Sequence, residues 1–245
     1  MSRILAALVL LGLSIAEGAT AQDRYVFGYT HADDGVPASA VQLVTSRGVF
    51  EAFSRGWFDA TGFHHPTNDN YIAGLLDGQW YRNFFLFDLA AAADPFTSAS
   101  VRLYNPQSWL PWCAPVSCDG FGSINPTERF LLGFLDPSYY AAVTSRAADR
   151  VDIYGALGTG SRLGGRLVSA DDNGGWVDIR LTETALAGLN ARRGGEWGVG
   201  GRLFAPRAIE VVTPEPATLV LLGTGVLIVM VAAARRRPAG GRTRS

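Results

Sequence analysis

The residues best placed to act together chemically lie near the C-terminus. There Pro214-Glu215-Pro216 precedes the uncharged, mostly apolar run Ala217 to Ala234, which ends at Arg235-Arg236-Arg237. Proline fixes φ near −65° and disfavours helix in the residue before it, so Thr213 and Glu215 are pushed to extended backbone. The tripeptide cannot join a helix that follows it. It stands out as a short stiff strand carrying one carboxylate, the form in which a protease or transpeptidase reads a chain. The apolar run would rise about 27 Å as a helix, close to the thickness of a bilayer hydrocarbon core. Positive charge beside a membrane helix stays on the cytoplasmic side. The three arginines therefore predict that the bulk of the chain lies outside and residues 238–245 form a cytoplasmic tail.

Val212-Thr213-Pro214-Glu215-Pro216-Ala217-Thr218-Leu219, the Gly-containing span and the Arg-rich end together resemble the PEP-CTERM sorting signal. That resemblance implies a partner: an exosortase, an integral membrane enzyme resembling sortases in role, which reads such signals in Gram-negative bacteria. It also implies a precursor anchored in the inner membrane and later moved to the cell surface or extracellular matrix, in association with exopolysaccharide. An ordinary tail anchor is the plain alternative. The N-terminus points to export independently. Arg3 precedes a short apolar run, Ile4 to Ala16, and then Ala19-Thr20-Ala21, the pattern of a secretory signal peptide over residues 1–21. Signal peptidase is thus a second expected partner, and Gln22 the expected mature N-terminus.

Composition removes several chemistries. All 21 basic residues are arginine, so no P-loop lysine, Schiff-base lysine or Ser-Lys dyad exists. Between Gln22 and Val212 there are 15 arginines against 20 carboxylates, a net charge of −5. Nucleic acid is therefore not an expected partner, since phosphate neutralisation supplies most of such affinity. There is no G-x-S-x-G nucleophile elbow. Gly155-Ala-Leu-Gly158-Thr-Gly160-Ser-Arg-Leu-Gly164 approaches a dinucleotide fingerprint, but its third glycine is one place late and no helix is expected after it, so it reads as a β-turn loop. A zinc site needs three or four ligands, and adjacent His64 and His65 rarely point at one ion; His31, His64, His65 and Asp69 together could hold a metal, but read first as a polar surface loop. Asp33-Asp34 and Asp171-Asp172 are carboxylate pairs. The second fails as an EF-hand because its fifth and twelfth positions are Gly175 and Thr182. Asp171-Asp-Asn-Gly-Gly reads as a hairpin turn, with structural calcium left open. No catalytic residue, metal or cofactor is assigned.

Two features between the signals could still carry function. Cys113 and Cys118 are the only cysteines, in a loop stiffened by Pro111 and Pro115. In an oxidising exported environment they are expected to form a disulfide. Around them stand Trp109, Trp112 and Phe121, which either cap the end of the core or form a platform that stacks on sugar faces.

These residues must be positioned by β structure. Short apolar runs bounded by Gly, Pro and Asp predict strands at 25–30, 41–45, 49–53, 81–89, 100–104, 129–135, 151–154, 165–168, 176–181, 198–204 and 208–212. Thr182 is the expected N-cap of one helix, and a second short helix is expected to start at Pro137. The expected fold is mainly β: a jelly-roll-like β-sandwich over residues 22–212 with one or two short helices. The sorting signal occupies 213–237, with its transmembrane helix. Arg82 to Leu89, Thr97 to Pro106, Asp171 to Ile179 and Leu186 to Gly201 resemble other exported PEP-CTERM proteins. More remotely they are similar to sandwiches on bacterial surface proteins that resemble carbohydrate-binding modules in fold. The expected function is a non-enzymatic surface or matrix protein. The competing class is a secreted glycan-active enzyme or carbohydrate-binding module.

Overall fold

The computed structural model describes residues 25–29, 39–65, 70–107, 120–123, 125–145 and 149–204. The chain divides into two units, Met1–Pro206 and Arg207–Ser245, and every described residue belongs to the first. Its strands are β1 (Tyr25–Tyr29), β2 (Val41–Thr45), β3 (Gly48–Asp59), β4 (Ala73–Leu76), β5 (Gln79–Asp88), β6 (Ala99–Asn105), β7 (Gly120–Ser123), β8 (Thr127–Phe134), β9 (Arg162–Ser169), β10 (Gly175–Arg180) and β11 (Glu196–Phe204). Three short helices accompany them: α1 (Tyr140–Thr144), α2 (Val151–Thr159) and α3 (Glu183–Asn190). The molecule is mainly β, a curled antiparallel sheet.

The order β10-β6-β2-β3-β5-β11-β8-β9 shows how the sheet curls. The first part of β3 pairs with β2, and its second part with β5. A register shift between Ala52 and Ser54 bends the strand as it passes from one half to the other. The two ends then meet. Gly164 in β9 bridges Leu181 just after β10, and Thr182 N–H donates to the Leu163 carbonyl at 2.8 Å. Closing the edges in this way removes unpaired backbone that would otherwise recruit other strands.

Alternation fixes which residues fill the interior. Along β6 the burial pattern is strictly two-fold, with Val101 and Leu103 inside and Arg102 and Tyr104 outside. They meet Val41 and Leu43 from one half and Phe85, Phe87, Phe130 and Val199 from the other, in one apolar cluster. Strand β5 breaks the alternation, since Asn83, Phe84, Phe85, Leu86 and Phe87 are all buried. Its second face is covered. Phe84 and Leu86 join Phe58, Leu135, Tyr140, Val143, Ile153 and Leu157 in a smaller core beneath α1 and α2. A strand buried on both faces reads as a continuous apolar run.

Strand β11 makes room for these helices with small residues. A Cβ at Gly198 would lie 2.4 Å from the Tyr140 ring, and one at Gly200 would lie 2.8 Å from the Leu157 carbonyl. Tyr140 sits in this apolar layer, and burial pushes its phenol up to about 12.

Two of the helices follow the expected signals. Thr182 caps α3 by accepting from the Ala185 N–H, and Asp136 opens the 3-10 turn Pro137–Tyr139 that leads into α1. The expected strand at 151–154 and the expected β-turn loop from Gly155 to Gly164 are corrected: α2 covers the first and runs on to Thr159, and the last residues of the second, from Arg162, begin β9. Val151, Ile153 and Tyr154 favour strand intrinsically. The apolar surface over Phe58, Phe84 and Leu86 instead selects the helix, which brings Ile153 and Leu157 onto one face. Strands β4 and β7 were not expected. The hairpin turn expected over Asp171 to Gly175 is also corrected. It is a 3-10 corner, capped reciprocally by Ser169 and Asp172, between two strands that pair mainly elsewhere rather than a hairpin. Among the described residues no helix is long and apolar enough to cross a membrane. The expected span, the signal peptide and the strand at 208–212 lie outside the described residues.

Candidate functional site

The loop that holds the two cysteines leaves the sheet at the end of β6 and returns at β7. Cys113, Cys118, Trp109 and Trp112 lie outside the described residues, but both roots of the loop are described. Asn173 ties them together. Its Oδ1 accepts from Asn105 Nδ2 at 2.7 Å and from the Phe121 N–H at 2.6 Å, while its Nδ2 donates to the Phe121 carbonyl at 3.2 Å. Asn105 Oδ1 accepts from the Gly28 N–H, adding β1 to the knot. The Asp171-Asp-Asn-Gly-Gly segment thus acts as a clamp on the roots of the loop. Phe121 is 4% exposed and packs in the main core.

The histidines diverge. His64 is fully buried; its Nδ1 lies 2.5 Å from the Trp57 carbonyl, so that nitrogen carries the proton. Its ring stacks on Phe58 at 5.0 Å. His65 is exposed. His31 and Asp69 lie outside the described residues. Among the described residues no three His, Cys, Asp or Glu side chains stand close enough to share a metal ion. Asp172 faces an arginine: it accepts from the Arg166 guanidinium and from the Ser169 N–H.

The site that sequence reasoning missed is a fork in the sheet. Strand β5 pairs with β11 as far as Asn83 and Gly201. Beyond that point β5 takes β4 as its partner from Tyr81, while β11 continues beside β8 to Phe204. A pocket of about 300 Å³ opens there, lined by Trp80, Tyr81, Arg82, Tyr154, Arg202 and Phe204 among others. Arg82 Nη1 donates to the Tyr154 carbonyl at 2.7 Å, and its guanidinium lies 4.0 Å from the centre of the Tyr154 ring. Arg202 Nη1 donates to the Gly158 carbonyl. Arg202 thus caps the C-terminal end of α2, where a helix presents unsatisfied carbonyls and partial negative charge, while Arg82 bonds a carbonyl one turn earlier. Burial and the nearby Arg202 charge both lower the pKa of Arg82, though Tyr154 acts in the other direction. A guanidinium stays protonated at neutral pH.

The C-terminal signal is where the chain matches a known family. Residues 212–237 match the PEP-CTERM protein-sorting motif, which includes Pro214, Glu215, Pro216, Arg235, Arg236 and Arg237. No curated protein matches the chain. The motif makes this chain an exported, membrane-passing precursor that an exosortase sorts to the cell surface.

Proposed function

We propose that the protein serves after sorting as a non-catalytic component of the cell surface or extracellular matrix, associated with exopolysaccharide. In this reading residues 1–21 are removed by signal peptidase, residues 22–212 form the exported domain, and 217–234 hold the precursor in the inner membrane until an exosortase acts. The observation that carries the proposal is the sorting motif at 212–237. The clamped loop between β6 and β7 supports it, because rings on a loop with fixed roots would be presented at little ordering cost. Trp109 and Trp112 are the rings that would stack on sugar faces, while Phe121 belongs to the core.

Glu215→Ala tests the sorting step. Insertion should be normal, since the apolar span and Arg235 to Arg237 still stop transfer. Processing should fail, leaving full-length protein in the membrane fraction. Normal surface delivery of this variant would reduce Pro214-Glu215-Pro216 to a linker. Incubating the protein with the host's purified exopolysaccharide tests the rest. Binding without release of shorter sugars is the expected result, and turnover would make the protein an enzyme.

A further inference from the structure

We infer that the fork between β5 and β11 is a binding subsite for the carboxylate of an acidic sugar. The subsite rests on the proposed association with polysaccharide and names the class of sugar that would enter it. Arg82 and Arg202 both line the pocket, on strands that have just parted. Like charges held this close across a sheet repel. Among the described residues neither guanidinium has a carboxylate partner. Their hydrogen bonds to described residues go to the neutral carbonyls of Tyr154, Gly155 and Gly158, and each uses a single nitrogen of the fork. Within a domain of net negative charge, two cations have been brought together without an ion-pair partner among the described residues.

The remaining lining decides what would compensate them. The guanidinium and indole N–H groups of the lining only donate hydrogen bonds, the Tyr81 and Tyr154 hydroxyls can do either, and among the described residues no carboxylate lines the pocket. A ligand group that only accepts, is planar and carries charge suits two guanidinium forks best, which describes a carboxylate. Trp80 and Phe204 are 38% and 54% exposed, so their rings are available at the mouth to an apolar ring face. A volume of about 300 Å³ lies at the small end of ligand sites and suits one sugar ring rather than a peptide helix. A concave site also favours a sugar acid over a membrane surface, which would be met by cations on a convex face.

Gly158 supplies a test that leaves both charges in place. A Cβ there would lie 2.2 Å from Arg82 Cζ, so Gly158→Ala must expel the guanidinium from its seat on α2. Because the clash is with the end of a flexible side chain and alanine favours helix, the fold should be retained.

The experiment is calorimetric titration of the full-length chain in detergent at low salt with tetragalacturonate, with its methyl ester, and with phosphatidylglycerol vesicles. Wild type should bind tetragalacturonate and bind the ester far more weakly. Arg82→Gln and Arg202→Gln should each weaken binding roughly tenfold or more, as loss of a charge-assisted hydrogen bond does. Gly158→Ala should reproduce the Arg82→Gln loss with an unchanged thermal melt. Equal binding by wild type and all three variants would overturn the subsite while leaving polysaccharide association intact. Binding of neither the acid nor the ester would also overturn the subsite, and polysaccharide association falls with it only if the host's exopolysaccharide fails to bind as well. Loss of vesicle binding alone in the variants would make the fork a membrane contact and overturn the sugar assignment.

Discussion

The curled sheet of residues 25–204 and the segment 212–237 encode their properties in opposite ways. In the sheet, meaning arises from residues distant in sequence. Phe85 matters because Phe130, Val101 and Val199 share its cluster, and Asn173 because it holds Asn105 and Phe121 at the two roots of one loop. In the C-terminal segment, meaning is linear: an acidic residue between two prolines, an apolar run and a basic end, in that order. The first kind of information is read by the chain itself as it folds. The second is read by another protein. A substitution in the sheet should therefore change stability and leave destination alone, and a substitution in the motif should do the reverse.

The largest effect should come from the main core. Trp197 is 1% exposed, with its ring 5.9 Å from that of Phe87. Trp197→Ala should cost about 3–5 kcal/mol in chemical denaturation, while the protein that still folds is sorted normally. Removing the expected disulfide with Cys113→Ser should cost about 2 kcal/mol, the loop-closure value for so short a loop. No difference between oxidised and reduced wild type would show that the thiols are unpaired. Thr182→Ala removes the side-chain cap on α3 and should cost about 1 kcal/mol, without altering processing. Glu215→Ala completes the contrast: no measurable change in the denaturation midpoint, yet loss of processing. A core variant that unfolds little but fails to be sorted would break the distinction, because the exosortase step would then depend on the folded domain.

Legibility in the sequence follows the same division. The sorting motif was fully visible, since nothing beyond residue order defines it. Strands with one face in the core were also visible: Val101-Arg-Leu-Tyr104 alternates as its burial does. Strand β4 has a local signal of its own at its C-terminal end. Asp77-Gly78 has φ of 51° and 77° and makes the two-residue turn pairing Leu76 with Gln79, a strong short-range hairpin cue. Helix α2 was not legible, because Val151, Ile153 and Tyr154 favour strand and only packing on Phe58 and Phe84 overrides them. Neither was the fork. Arg82 and Arg202 become neighbours because the register that pairs Asn83 with Gly201 places them opposite each other one step further on, where the two strands part, and a long-range register of that kind leaves no local trace.

Mass spectrometry of the mature C-terminus tests the central claim most directly, that an exosortase reads 212–237 and delivers the protein to the surface. Surface-released protein should begin at Gln22 and end at or near Pro214-Glu215-Pro216, without Ala217 to Ala234. Surface protein retaining the apolar span and Arg235 to Arg237 would contradict that claim and leave the segment a simple anchor.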